Sequence, residues 1–418
     1  MTKRTVNSDI FGNLLKTKGV FLNREAMRPT FMPETLPHRE REISDLATIL
    51  VPALRGETPS NVFIYGKSGT GKTAVTKFTG KEMLKKGEET GKKVNFIYIN
   101  CEIVDTQYRL LQNIANHFID EWSERIPFTG WPTDEVFAKL KKMIEKEGGV
   151  TVVILDEVDK LKGDEALYNL SRINSDLKNA KVSIIGISND LKFTEFFDPR
   201  VKSSLGEENM VFSPYDASEL RDILDERVRV ALKPELIDED VVPLCSALAA
   251  QEHGDARRAL DLLRMSAELA ERAKSPRITK KHVRHAQNKI EIDRIIEVVR
   301  TLPTQSKLVL FSVLLQDAHN KKEGKTGAIT TGEVYSIYKG ISKKTRTDSL
   351  TQRRIADLIS ELDMLGIITA RVISKGRYGR TRDIKISSSV DEIMEILKED
   401  DIIKQLSRYK FHGQTQLI

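Results

Sequence analysis

Between residues 61 and 212, short apolar runs alternate with stretches whose apolar positions recur every three to four residues. The runs are 62–65, 94–100, 150–155, 182–188 and 210–212. Strands spaced by helices in this way predict βαβ units and a parallel sheet covered on both faces. From residue 218 to about 288 only the helical spacing remains. Helices are expected over 218–229, from Asp238-Glu239-Asp240 onward and over 257–273. A long helix is expected to begin near Glu291. Residues from about 305 to 390 read as helices followed by a β-hairpin, with strands 367–373 and 381–386, and 391–408 reads as a last helix. Ahead of the alternation, residues 16–60 run through Pro29, Pro33, Pro37, Pro52 and Pro59 as a connecting stretch, and residues 1–15 are expected to be flexible. The pattern divides the 418 residues into segments 1–15, 16–213, 214–290 and 291–418. No apolar run approaches the roughly 18 residues a membrane helix needs, so no membrane partner is expected. Met1-Thr2-Lys3-Arg4 leads into no apolar stretch, so no secretory signal is expected. Cys101 and Cys245 sit among apolar neighbours, which reads as two small core residues in a reducing cytoplasm.

The first apolar run ends in Gly66-Lys67-Ser68-Gly69-Thr70-Gly71-Lys72-Thr73, and Ala74 continues into a helical pattern. Strand, glycine-rich loop and helix form the context of a phosphate-binding loop. Glycines let successive N–H groups turn inward toward phosphate oxygens, and the helix N-terminus adds partial positive charge there. Lys72 is then the side chain for the β- and γ-phosphates, and Thr73 supplies a hydroxyl for Mg2+. ATP or ADP with Mg2+ is the expected cofactor set.

Residues 151–155 form an apolar strand that ends in Asp156-Glu157. A carboxylate at a strand tip beside the phosphate loop suits Mg2+, which assigns Asp156 to the metal with Thr73. Glu157 is placed to polarise an attacking water. The run 182–188 ends in Asn189, whose amide suits the attacking water or the γ-phosphate, although asparagine alone also commonly begins a turn. In Gly254-Asp255-Ala256-Arg257, Asp255 reads as a helix N-cap and Arg257 as a first-turn arginine able to reach a phosphate.

The chain carries net +6, but residues 321–385 alone hold 15 Lys and Arg against 7 Asp and Glu, a net +8, so all other residues sum to −2. Such asymmetry points to nucleic acid as a partner. Within this stretch, apolar residues at 350, 355, 358, 359, 362 and 365 form one helical stripe, and Thr351, Gln352, Arg353 and Arg354 lie at its start. That arrangement suits a recognition helix. The hairpin beyond Gly366 bears Lys375, Arg377, Tyr378, Arg380 and Arg382, basic residues suited to a minor groove or a phosphate backbone. The whole reads as a winged helix.

Taken in order and spacing, the phosphate loop, the Asp-Glu strand, the Asn strand tip and the Gly-Asp-Ala-Arg helix start resemble AAA+ ATPases. The wording of Pro37-His38-Arg39-Glu40-Arg41-Glu42, of Asp198-Pro199-Arg200-Val201-Lys202-Ser203-Ser204-Leu205, and of Pro214-Tyr215-Asp216-Ala217-Ser218-Glu219-Leu220 running to Arg227 is similar to that of archaeal Orc/Cdc-type replication initiators. The resemblance covers about residues 12–390. It implies an AAA+ core over 16–213, a helical lid over 214–290 and a winged-helix DNA-binding domain over 291–418. It also implies that Asn189 and Arg257 are the two sensors, that Arg200 is an arginine finger for a neighbour's site, and that Tyr215 and Arg227 line the nucleotide pocket. The segment 101–132 would hold an insertion that touches DNA. The implied activity is origin recognition at duplex DNA with slow ATP hydrolysis as a switch. The implied partners are the replicative helicase and a paralogue or second copy, in a cytoplasmic, nucleoid-associated setting. A clamp-loader-like motor, or a DNA-binding regulator with a vestigial ATPase site, are the alternatives.

Overall fold

The computed structural model of the protein describes residues 19–205, 208–324, 328–374, 380–387 and 390–406. They fall into two compact units that divide between Val283 and Arg284.

The first unit is built on five parallel strands, β1 (Val62–Gly66), β2 (Val94–Asn100), β3 (Gly149–Asp156), β4 (Ala180–Ser188) and β5 (Glu208–Phe212), in the order β2-β3-β4-β1-β5. Alternate side chains of one strand enter different cores, as the two-residue period of a strand requires. Phe63 and Tyr65 of β1 join Val153 and Leu155 of β3 on one face; Val62 and Ile64 join Val150, Val152 and Ile154 on the other. Helices α1 (Glu40–Arg55) and α2 (Lys72–Thr90) supply Leu46, Leu50, Val75 and Met83 to the second face. Helices α3 (Gln107–His117), α4 (Thr133–Glu147) and α5 (Glu165–Arg172) cover the first with Leu110, Leu111, Leu140, Leu167 and their neighbours. A short α6 (Pro199–Leu205) precedes β5. Because the strands are parallel and in register, their C-terminal tips share one edge: Tyr65 pairs Ser188 and Asn100 pairs Asp156. Loops leaving that edge form the crevice where ligands of open α/β sheets bind.

Three helices follow: α7 (Ala217–Ala231), α8 (Val241–Gln251) and α9 (Ala256–Arg272). Asp216 and Glu219 close a reciprocal capping box at the start of α7, and Asp255 accepts from the Arg257 and Arg258 N–H groups at the start of α9. Residues 20–31 pack on these helices: Phe21 bridges Leu232, and Ala26 and Met27 are fully buried.

The second unit holds α11 (Thr304–Lys322), α12 (Thr331–Thr345), α13 (Gln352–Met364), the antiparallel hairpin β6 (Ile368–Ser374) and β7 (Arg380–Ile386), α14 (Val390–Leu397) and α15 (Asp401–Lys404), preceded by α10 (Lys280–Thr301), which crosses the division. The apolar stripe of α13 is its core face: Ile355, Leu358, Ile359 and Leu362 are buried. This is the expected α/β core with helical lid and winged helix.

Three expected boundaries change. Pro52 lies inside α1 rather than in a connecting stretch, held there by the buried stripe Leu46, Leu50 and Ala53. The helix expected to begin near Glu291 begins at Lys280. Its first eleven residues offer only Val283, Ala286 and Ile290 as apolar positions, a stripe too thin to stand out from the charges between them. The expected last helix is two short ones, broken where the Asp400 carboxylate accepts from Ile402 N–H and caps the second.

Candidate functional site

The loop after β1 wraps around one ammonium group. Lys72, 6% exposed, donates from Nζ to the carbonyls of Gly66 and Lys67 at 2.7 Å each and to Asn189 Oδ1 at 2.9 Å. All three ammonium donors are thereby fixed between the phosphate loop and the tip of β4. Burial is the main reason that the Lys72 pKa falls from 10.5 to about 8; nearby Asp156 opposes the fall and Arg257 adds to it. Backbone geometry demands glycine at two points. Gly69 has φ +73° and a Cβ there would lie 1.7 Å from Asp255 Oδ1; Gly71 has φ +90° and a Cβ there would lie 2.6 Å from the Tyr215 hydroxyl. Both sites require a left-handed backbone with no side chain.

On the neighbouring strand tip, Asp156 Oδ2 accepts from Thr73 Oγ1 at 2.9 Å and from the Tyr98 hydroxyl at 2.6 Å, while its Oδ1 accepts from the Glu157 N–H at 3.1 Å. Burial, then the hydrogen bond to Asp156, pushes the Tyr98 phenol far above its ordinary range, so it remains a donor. Glu157 takes a left-handed backbone, φ 55°, and lines the cleft. Burial first, then the charges of Glu102, Asp156 and Asp159, raises its carboxyl pKa. A strained non-glycine φ beside a charged cluster is a feature of functional sites. Thr73 and Asp156 together offer the hard oxygen donors that suit Mg2+.

The cleft around these groups measures about 970 Å³. One wall is the segment 29–37; the opposite side comes from the helical part through Tyr215, Ile223, Arg227, Val230, Arg257 and Leu260. Residues 68–74, Asp156, Glu157 and Asn189 form its floor. Gly66 and Lys67 contribute carbonyls to Lys72 rather than cleft surface. The helical part touches the loop directly: the Ala256 N–H donates to the Gly69 carbonyl at 3.1 Å. Arg257, in the first turn of α9, is exposed and faces the cleft. Tyr215 is buried, and burial raises its phenol pKa to about 12. Arg227 is buried, donates to the carbonyls of Ala26 and Phe31, and so secures the segment that forms the outer wall. Arg200 lies outside the cleft lining, exposed, with its guanidinium doubly bonded to the Asp198 carboxylate at 3.1 Å.

Sequence reading missed two contributors. Arg39, 4% exposed, donates to the carbonyls of Thr70 and Ser213, and its guanidinium lies 3.8 Å from the Tyr215 ring centre. It clamps the loop to the entrance of α7. Tyr98 is the other; its apolar strand context conceals its hydroxyl. The motif around Arg39 was visible as a resemblance, but nothing in it announced a buried cation.

In the segment 101–132, α3 is a core element: Leu110, Leu111, Ile114 and Ala115 are fully buried. Trp122 and Phe128 are exposed there.

In the second unit, Thr351 caps α13 by accepting from the Arg354 N–H. Gln352 and Arg353 are exposed at its first turn, and Arg354 pairs with Glu361 at 3.4 Å. Arg382 donates to the Ala356 carbonyl, pinning β7 to α13. Thr331, Gln352, Arg353, Val372, Thr381 and Arg382 share the lining of a groove of about 440 Å³. Lys375, Arg377 and Tyr378 lie outside the described residues, as does the side chain of Arg380.

Comparison with known proteins adds an independent line. Residues 35–184 match the model of an AAA ATPase domain, 221–288 that of a Cdc6 AAA+ ATPase-type lid domain, and 297–396 that of a CDC6 C-terminal winged helix domain. The chain is 57% identical over 412 residues to the ORC1-type DNA replication protein 1 of Methanosarcina acetivorans, covering 98% of each. It is 52% identical over 407 residues to the ORC1-type DNA replication protein of Pyrococcus abyssi, covering 97% of this chain and 96% of that one. Among solved structures, the Aeropyrum pernix ORC1 protein in complex with DNA is similar at 44% identity and a TM-score of 0.73, covering 92% of this chain and 98% of that one. The Aeropyrum pernix ORC2 protein shares the fold at 22% identity and a TM-score of 0.58.

Proposed function

Since the chain belongs to the ORC1-type DNA replication proteins, we propose that it is an ATP-binding replication initiator that recognises origin duplex DNA and helps to recruit the replicative helicase. One observation carries the nucleotide part of this reading. Two hydrogen-bonded pairs, Lys72 with Asn189 and Thr73 with Asp156, lie side by side at the floor of one cleft whose far side belongs to the helical lid. Bound Mg2+ would neutralise charge on the phosphates. Thr73 and Asp156 are the residues that would hold it. Lys72 carries a positive charge to the phosphate oxygens, and its hold on the Gly66 and Lys67 carbonyls keeps the loop curled in advance. Glu157 accepts the proton of an attacking water, and the burial that raises its carboxyl pKa makes it a stronger base for that proton. Asn189 and Arg257 address the terminal phosphate from strand tip and lid.

The Ala256–Gly69 hydrogen bond supplies the coupling that a conformational switch needs. The lid backbone meets the loop backbone, so a change in phosphate occupancy is felt by the lid without any relay. Arg200, exposed and outside the cleft, would exchange its ion pair with Asp198 for a phosphate in the site of a second subunit. The basic winged-helix unit supports DNA as partner, with Thr351, Gln352, Arg353 and Arg354 presented to a groove and the hairpin residues Lys375, Arg377, Tyr378, Arg380 and Arg382 to the backbone or minor groove.

Turnover measured with and without origin-containing duplex tests the reading. Slow hydrolysis, with a DNA footprint that differs between ATP and ADP, is expected. Fast DNA-stimulated turnover would indicate a motor instead, and tight DNA binding with no nucleotide binding at all would indicate a regulator.

A further inference from the structure

We propose that Tyr98 is a positioning residue for Asp156, its hydroxyl setting the orientation in which that carboxylate meets hydrated Mg2+; this rests on the nucleotide site just described. Tyr98 lies on β2, the edge strand, in register with Ile154 two residues before Asp156. It is 37% exposed and lines the cleft, where a phenol hydroxyl could be satisfied by water. Instead it donates to Asp156 Oδ2 at 2.6 Å, the range of a strong hydrogen bond to a charged acceptor. The ring is itself held: Lys77 Nζ sits 3.7 Å from its centre. Helix α2 thus fixes both partners of Oδ2, Thr73 directly and Tyr98 through Lys77.

Counting acceptor sites shows what this does. Oδ2 receives two donors, Thr73 Oγ1 and Tyr98 OH, which fill its two lone pairs. Oδ1 receives the Glu157 N–H and keeps one lone pair. The carboxylate therefore has one orientation and one open acceptor for a metal-bound water. Without the phenol hydroxyl, Oδ2 regains a lone pair and the carboxylate gains a competing orientation. Outer partners of metal-holding carboxylates ordinarily govern metal affinity by about ten- to a hundredfold.

Tyr98→Phe in the full chain keeps the ring and its contact with Lys77 and removes only the hydroxyl. ADP binding is followed by calorimetry in EDTA and across a Mg2+ series, with Asp156→Asn in parallel and thermal midpoints recorded. The expected result is an unchanged ADP affinity in EDTA. The Mg2+ concentration for half-maximal tightening should rise about tenfold, with full recovery at saturating Mg2+. Equal weakening with and without Mg2+ would mean a general packing role and overturns the proposal. So does an unchanged Mg2+ requirement in Tyr98→Phe when Asp156→Asn raises it. If Asp156→Asn also leaves the requirement unchanged, the metal site itself is misread and the proposal falls with it.

Discussion

Lys72 holds the most consequential charge in the protein because it is buried before any phosphate arrives. The unfolded chain keeps that proton up to about pH 10.5, the folded chain only to about 8. Folding therefore releases it between those values, and the ligand-free protein gains stability as pH rises from about 8 toward 10.5. Nucleotide binding has the opposite dependence, since anionic phosphates need the charged form. ADP affinity should fall about tenfold between pH 7 and pH 9. Calorimetry in buffers of different ionisation enthalpy should also show proton uptake growing above pH 8. A flat affinity over that interval would remove Lys72 from the phosphate contacts. Glu157 is a different case, its pKa raised rather than lowered. Glu157→Gln should retain ATP affinity while turnover drops by about 100-fold or more, the scale of a lost general base; single-turnover hydrolysis measures it.

At the scale of elements, the decisive junction is the start of α9 against the phosphate loop. Asp255 caps α9 and at the same time occupies the space a side chain at position 69 would need. Two demands therefore meet at Gly69, a left-handed φ and an occupied neighbour. Gly69→Ala should abolish measurable nucleotide binding. Asp255→Ala should cost about 1 kcal/mol of stability through the lost cap. Combined, the two should be less than additive, because removing the carboxylate removes one of the two objections to a Cβ. Urea unfolding of the four proteins measures this coupling, and strict additivity would mean that the two residues do not share the space.

For the whole molecule, the question is how charge is distributed. The net +8 of residues 321–385 against +6 for the chain puts the positive excess in the second unit, which would draw a phosphate backbone there. Arg377→Ala combined with Arg380→Ala should lower affinity for duplex DNA at about 100 mM salt. It should also flatten the plot of log affinity against log salt by about two, since each phosphate contact contributes about 0.9 to the slope. Fluorescence anisotropy across a salt series reads both. An unaltered slope would move the phosphate contacts elsewhere. ATP affinity should be untouched, as the phosphate loop, Asp156 and Arg257 all belong to the first unit.

Local physics made much of this readable from the chain alone. A strand buried on both faces needs a continuous apolar run, a phosphate loop needs glycines at set intervals, and helix caps need Asp or Thr at the boundary; each is a demand met by neighbours in sequence. So the sheet, the loop, the acids of Asp156 and Glu157, the cap at Asp255 and the stripe of α13 were all legible. The start of α10 at Lys280 and the helical setting of Pro52 were not, because tertiary burial there overrides a thin or broken local pattern. Nor were Arg39 and Tyr98, whose partners Thr70, Ser213 and Asp156 lie 31, 174 and 58 residues away. A side chain's type tells which bonds it can make. Only the packing of parallel strand tips on one edge, with a lid brought over them, determines which bonds are made, because that is what brings distant donors within 3 Å of their acceptors.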